Sequence, residues 1–258
     1  MHCRLLTTKL PQQSMKPQYE ASLFRKALLL MNRESRRDFR FFRQFPRRSF
    51  RTVLDIGGYH GEFADRILRH YPVEKIFLFE PFPDSVDFLQ QRYVKEPRCK
   101  VFPFALSDQS GEAELHVLNK TDSSSLLDPA GDAGHLLQKP FHEVSKTKIE
   151  MRRFDEVPGM PDIPTFDLVK IDVQGAELRV LLGFGELLRR VESIYIEVNF
   201  CSLYKDGAVF CDTHAFLEHS GFKLGFLQEF RRNEKGVMIY ANAFYFRTES
   251  RSGSERAA

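Results

Sequence analysis

The stretch Val53-Leu54-Asp55-Ile56-Gly57-Gly58-Tyr59-His60-Gly61-Glu62-Phe63 is the fixed point from which the chain can be read in both directions. A short apolar run that begins at Thr52 stops at a carboxylate and two glycines, and apolar residues then recur at helical spacing over 63–70. This is a buried strand, a tight turn and a helix. The glycines let the backbone turn sharply and let a ligand approach it closely, in the crevice outside the carboxyl end of the strand. A pyrophosphate would be badly served by the carboxylate of Asp55, and the spacing Gly57, Gly58, Gly61 does not meet the dinucleotide pattern G-x-G-x-x-G.

Working outward, residues 75–80 form a second strand that ends in Glu80, and 85–94 form a helix with Val86, Leu89 and Tyr93 in a stripe. A third strand is expected over 101–106. Residues 111–154 break the rhythm: 112–118 and 144–154 look like strands on either side of a Ser/Gly/Pro-rich stretch, so a hairpin-like excursion from the sheet is expected. The βα alternation resumes with a strand at 166–172, a helix at 176–190, a strand at 193–198, a helix at 210–219 and a strand at 222–226. A last alternating strand at 237–246 directly follows another strand, which implies that it runs antiparallel. The expected fold is therefore α/β, a Rossmann-like doubly wound sheet, mostly parallel with an antiparallel last strand, over 51–248. A basic N-terminal tail and helical segment (1–50) precede it and a low-complexity tail (249–258) follows.

Three strand ends then converge on one ligand. Asp55, with Gly57, Gly58 and Gly61, suits the cationic amino-acid end of S-adenosylmethionine. Glu80 can accept hydrogen bonds from both ribose hydroxyls, beside Pro81 and with Phe82 packing on the adenine. Ala105-Leu106-Ser107-Asp108 is placed to contact the base.

These pieces, together with Ser123-Ser124-Ser125, the run Lys170-Ile171-Asp172-Val173-Gln174-Gly175-Ala176-Glu177 and Ile196-Glu197-Val198, resemble the FkbM family of methyltransferases over roughly 53–246. The 170–177 run is the most distinctive part, and this chain has Gln174 where the family more usually has Glu. The resemblance implies a class I fold and O-methylation of hydroxyls on sugars, glycans or natural products, a transferase of the EC 2.1.1 class.

The strand at 166–172 delivers Lys170, Asp172 and Gln174 to the same edge, with Glu177 in the first turn of the next helix. Methyl transfer to a hydroxyl needs in-line positioning and removal of the hydroxyl proton. Asp172 is the first candidate for that base, or else it orients cofactor or substrate; Glu197 is the second catalytic candidate. Lys170, Gln174, Glu177, Asn199 and Tyr204 are candidate substrate contacts, although Glu177 also suits a helix N-terminus by charge alone and Lys170 suits a buried ion pair. Ser123, Ser124 and Ser125 are candidate partners of a polar acceptor. His60, in the glycine loop, reads as an exposed loop residue. His116, His135 and His142 in the excursion have no metal-triad spacing, so no metal ligands are assigned; Mg²⁺ held by Asp172 and Glu197 is the weaker alternative.

Composition narrows the rest. The chain of 258 residues is 42% hydrophobic, enough for one sizeable core, and no run reaches the roughly 20 apolar residues of a membrane span. Cys3, Cys99, Cys201 and Cys211 lack ligand spacing and read as reduced thiols of a cytoplasmic enzyme. Residues 1–51 carry 13 Lys+Arg against 3 Asp+Glu, so a net +3 hides a surplus of +10 followed by −7. Arginines interleaved with Phe39, Phe41, Phe42, Phe45 and Phe50 over 33–51 favour either an amphipathic helix packed on the domain or contact with a membrane surface. The chain lacks an Asn/Asp-Pro-Pro-Tyr type motif, which argues against nucleic acid bases as acceptors. The competing readings are a methyltransferase acting on protein or nucleic acid, a dehydrogenase (disfavoured by the glycine spacing) and a non-catalytic binding or scaffold protein, against which Asp55, Gly57, Gly61, Glu80 and Asp172 all speak. The identity of the acceptor and the oligomeric state are not encoded in any recognisable pattern.

Overall fold

A computed structural model describes Phe45, residues 49–119 and residues 121–248. The chain divides into the units Met1–Pro46 and Arg47–Ala258, and the second unit holds every strand and helix named below. The basic stretch 33–51 lies mostly outside the described residues, and so does the tail 249–258.

β1 (Thr52–Ile56), α1 (Glu62–His70), β2 (Lys75–Phe79), α2 (Pro83–Tyr93) and β3 (Cys99–Phe102) come first in the chain. β4 (Ala105–Leu106), β5 (Gly111–Leu118), α3 (Ala133–Leu137) and β6 (Glu143–Arg152) make up the excursion. β7 (Leu168–Ile171), α4 (Glu177–Gly183), β8 (Ser193–Asn199), α5 (Phe210–His219), β9 (Phe222–Arg232) and β10 (Met238–Arg247) complete the unit. Seven strands form one sheet in the order β3-β2-β1-β7-β8-β10-β9, and β4-β6-β5 form a second. β1 lies parallel between β2 and β7, while β10 is antiparallel to both β8 and β9. This is the mostly parallel, doubly wound architecture expected from the sequence, with its antiparallel last strand.

Central strands covered on both faces are buried and mostly apolar: in β1 and β2 only the first residue is not buried, and β8 is buried along its whole length. The core around them is rich in phenylalanine. Phe79 stacks on Phe102 with centroids 4.8 Å apart, and Phe154 on Phe184 at 4.2 Å. Pairs of this kind add about 0.5–1.5 kcal/mol each beyond the area they bury. Phe50, from the end of the basic stretch, is fully buried, with its ring 4.7 Å from that of Tyr71.

Two expected elements are corrected. The strand expected over 101–106 is two strands: β3 joins the main sheet, and β4, beyond Pro103, pairs in parallel with β6 in the second sheet. Proline has no N–H to continue the ladder, and the chain changes sheets there. The helix expected over 176–190 ends at Gly183 and continues as a 3₁₀ segment, Gly185–Arg190, after Gly185 takes a left-handed φ of 51°.

The excursion is anchored rather than loose. Leu118, Leu127, Ala133, Leu137, Leu203, Tyr204 and Ile239 form an apolar cluster of their own. It fastens the β5–β6 hairpin to the loop after β8 and to the start of β10, so the hairpin connection lies beside the carboxyl ends of β7 and β8. Among the described residues no helix is long and apolar enough to cross a membrane, and Cys99, Cys201 and Cys211 are free thiols.

Candidate active site

The glycine turn forms because its backbone amides have a specific destination. Gly57 and Gly58 donate to Phe79 O at 2.9 and 3.2 Å, and Asp172 N donates to Ile56 O at 3.1 Å. The ends of β1, β2 and β7 are thereby tied together. At Gly57 φ is 76°, and a Cβ would overlap the carbonyl oxygen of Asp172; at Gly61 φ is 81°, and a Cβ would overlap the Tyr93 hydroxyl. Both glycines are demanded by close approach as well as by conformation. Gly58 needs neither, since a Cβ there would meet only ordinary contacts.

Asp55 lies beneath this turn with no exposed surface, 3.3 Å from Lys170 Nζ. Burial raises its pKa and the lysine opposes the rise. Lys170 Nζ also donates to Gly57 O at 2.6 Å and lies 3.9 Å from Asp172 Oδ2. Burial disfavours its charge, yet the charges of Asp55 and Asp172 outweigh burial and raise its pKa. Asp55 and Lys170 are therefore a buried ion pair that shapes the turn from below. Glu80 accepts from Tyr59 N (2.8 Å, Oε2) and Phe82 N (2.9 Å, Oε1), and each oxygen keeps a lone pair for a further donor.

The other sequence-predicted cofactor residues divide. Ser107 is buried and its hydroxyl is 3.0 Å from Asp108 Oδ1. Leu106 belongs to the main core and Ala105 to a small cluster with Leu115 and Ile149, against which Phe82 also packs. The side chains of Ala105 and Leu106 are thus committed to packing, which leaves their backbone for a ligand. Pro81 is partly exposed after Glu80.

At the ends of β7 and β8 a second group assembles around Gln174. Its backbone is left-handed (φ 58°), as is that of Gly175 (φ 97°), so the chain doubles back before α4. Gln174 Nε2 donates to Asp172 Oδ1 at 2.5 Å and to Glu197 Oε1 at 3.4 Å, while its Oε1 accepts from the Tyr204 hydroxyl at 2.8 Å. Ser125 Oγ donates to Gln174 O at 2.6 Å from the excursion. Glu177 caps the turn: its carboxylate accepts from Val173 N at 3.0 Å and from Gly175 N at 3.1 and 3.0 Å. Burial pushes its pKa up to about 7 despite these bonds. Glu197 is raised well above the ordinary carboxyl value by burial, and then by the charges of Asp172 and Glu177. Asn199 is 3% exposed, and its Oδ1 has no partner among the described residues.

The structure therefore brings Asp172, Gln174, Glu197 and Tyr204 into one hydrogen-bonded group, with Glu177 under it and Asn199 at the same strand end as Glu197. His60 stacks on Tyr59 at 3.8 Å, outside this group. Sequence reasoning missed Tyr93 beneath Gly61 and the specific role of Ser125; the left-handed Gln-Gly pair was the available signal for a reversal there. An open cleft of about 680 Å³ between β5, β6 and Glu156 contains none of the predicted site residues and is not the candidate site.

A doubly wound sheet with an antiparallel last strand, a glycine turn after β1, an acid at the end of β2 and a carboxylate group beyond β7 defines the class I methyltransferase fold. The family model "Methyltransferase FkbM domain" matches residues 55–224, and the chain belongs to this family.

Relatives include the 2-O-methyltransferase NoeI of Sinorhizobium fredii, 29% identical over 163 residues, covering 60% of this chain and 65% of that protein. The hexuronic acid methyltransferase AglP of Haloferax volcanii is 29% identical over 125 residues, 48% of this chain and 47% of that one. The chain thus spans just under two thirds of NoeI and about half of AglP. A solved FkbM methyltransferase from Methylobacillus flagellatus KT is 15% identical, with a TM-score of 0.46, covering 77% of this chain and 43% of that one.

Proposed function

We propose that the protein is an S-adenosylmethionine-dependent O-methyltransferase whose acceptor is a hydroxyl on a sugar, glycan or natural product. The observation that carries this reading is the junction at Gly57. The turn that would hold the methyl donor is in backbone contact with Asp172, the residue that heads the carboxylate group. When bound, S-adenosylmethionine supplies an activated methyl group. Gly57 and Gly61 set the path of the turn beside it by admitting the Asp172 carbonyl and the Tyr93 hydroxyl, Glu80 offers its free lone pairs to the ribose hydroxyls, and the Ser107–Asp108 backbone borders the base.

Asp172 Oδ2 accepts the proton of the acceptor hydroxyl, because Oδ1 is already occupied by the Gln174 amide. Asp172 is also the more open of the two carboxylates: its side chain is 34% exposed, whereas Glu197 is buried. Glu197, whose proton affinity burial raises, and Asn199, whose carbonyl has no partner among the described residues, fix the hydroxyl in place. NoeI is by name a 2-O-methyltransferase, which supports transfer to oxygen, and AglP is by name a methyltransferase of hexuronic acid, which supports a sugar acceptor.

Calorimetric titration of the purified protein with S-adenosylmethionine, alongside Asp55→Ala/Glu80→Ala, tests the cofactor. Saturable binding that the double variant loses is expected, and binding of NAD instead would overturn the reading. Transfer of labelled methyl to a panel of glycans, abolished in Asp172→Asn with cofactor binding intact, is the expected result for the acceptor side. Transfer to protein or RNA alone would refute the hydroxyl-acceptor assignment.

A further inference from the structure

The excursion gathers a set of side chains that the methyl-transfer site does not use. β5 and β6 pair antiparallel with Leu118 opposite Glu143, and residues around Ser125 pair with His116 along the other edge of β5. His116, Asp128 and Glu143, far apart in sequence, therefore meet, with their ligand atoms all within 4.8 Å of one another. His116 Nδ1 is 2.5 Å from Glu143 Oε2 and 3.1 Å from Asp128 Oδ1. The side chain of His116 is 10% exposed.

The donor count does not balance. One Nδ1–H faces two carboxylate oxygens, and it can satisfy only one of them well. Among the described residues no lysine or arginine pairs with Asp128 or Glu143. If the nitrogen instead offers its lone pair, three acceptors converge with nothing between them.

We propose that His116, Asp128 and Glu143 form a binding site for a divalent cation of the zinc class, with water completing the coordination. One imidazole nitrogen and two carboxylate oxygens suit a borderline cation, whereas Mg²⁺ and Ca²⁺ prefer all-oxygen sets. Zinc sits about 2.0–2.2 Å from such ligands, so the Nδ1–Oε2 pair must open by under about 1 Å.

The role of this site is structural. The segment it grips donates Ser125 Oγ to Gln174 O, and its backbone pairs with the loop after β8 through Ala130 N–Leu203 O (2.9 Å) and Lys205 N–Asp128 O (2.8 Å). The cation would fasten the wall of the acceptor site without touching the reacting atoms.

The test uses the full chain after chelator treatment. Calorimetry with Zn²⁺ should show one equivalent bound, and saturation should raise Tm by about 5–10 °C. Asp128→Asn, on an exposed side chain, and Glu143→Gln should each weaken binding at least about tenfold, and His116→Asn should abolish it. Co²⁺ should give absorption bands without a thiolate charge-transfer feature. Absence of binding, binding indifferent to Asp128→Asn, a thiolate band, or Mg²⁺ binding as well as Zn²⁺ would each overturn the proposal.

Discussion

Glu177 offers a titration whose outcome can be worked out in advance. Its carboxyl is 2% exposed and accepts only backbone N–H groups, and burial lifts its pKa from 4.5 to about 7. The folded protein therefore holds this proton more tightly than the unfolded chain does. Stability from this group is complete below the unfolded value and is lost as the pH rises through the folded one. The difference between 4.5 and about 7, at about 1.4 kcal/mol per pH unit, amounts to about 3 kcal/mol. Asp55, Glu80 and Glu197 are shifted in the same direction, so the wild-type curve alone does not isolate Glu177. Glu177→Gln does, because it keeps the shape and removes the proton. Urea unfolding of both proteins between about pH 5 and about pH 8 should show the advantage of wild type over Glu177→Gln falling by about 2.5 kcal/mol across the range. A difference that stays flat would mean that Glu177 is ionised in the folded state throughout, and the burial argument would fail.

Gly57→Ala should destabilise the fold by more than the roughly 1–2 kcal/mol of a left-handed alanine, because its Cβ overlaps the Asp172 carbonyl; it should also abolish S-adenosylmethionine binding, read by calorimetry and denaturant midpoint. Lys170→Met leaves Asp55 buried without its ion-pair partner and should cost about 3–5 kcal/mol. Adding Asp55→Asn should recover much of that loss, which a double-mutant cycle would show. Gln174→Glu places a third carboxylate where an amide now donates to Asp172 and Glu197. The acid limb of its kcat/KM profile should move up by about one pH unit, measured on whichever glycan proves to be methylated; an unmoved limb would separate Asp172 from the proton transfer.

Much of the fold is legible in the sequence because local demands and global placement agree there. Asp55, Gly57 and Gly61 sit where a buried strand must turn, and only glycine fits at 57 and 61, so the pattern survives in one dimension. The antiparallel last strand was readable from two strands that follow each other without a helix between them. Elsewhere the deciding contact was distant. Gly183, the last residue of α4, must be glycine because its Cα lies against the carbonyl of Ser107, where any side chain would overlap it, and nothing near 183 announces Ser107. Lys170 reads as a substrate contact or a buried ion-pair partner, and the second reading holds; that the partner is Asp55 depends on β1 and β7 being neighbours in register, Asp55 opposite Lys170. The candidate acceptor group was half legible. Asp172, Gln174 and Glu197 were named as separate strand-end residues, but the left-handed turn at Gln174 that joins them is a tertiary result.

That turn also accounts for the polarity of the site. The charge of Asp172 raises the proton affinity of Glu177 and of Glu197, and that of Glu177 also raises that of Glu197, and like charges at such range cannot all ionise cheaply. The fold answers this in two ways. Lys170 stands against Asp172 on one side, and on the other Gln174 supplies two N–H donors and no charge. A glutamate at 174 would keep the turn but lose both donors and add a third negative charge to the group. A group of carboxyls arranged in this way suits an acceptor that arrives as a neutral hydroxyl. It suits a phosphate backbone poorly, since an anionic group brought within ~5 Å of a carboxylate meets about 3 kcal/mol of repulsion at an effective dielectric of ~20. The charge pattern at the ends of β7 and β8 therefore favours the neutral hydroxyl acceptor proposed above.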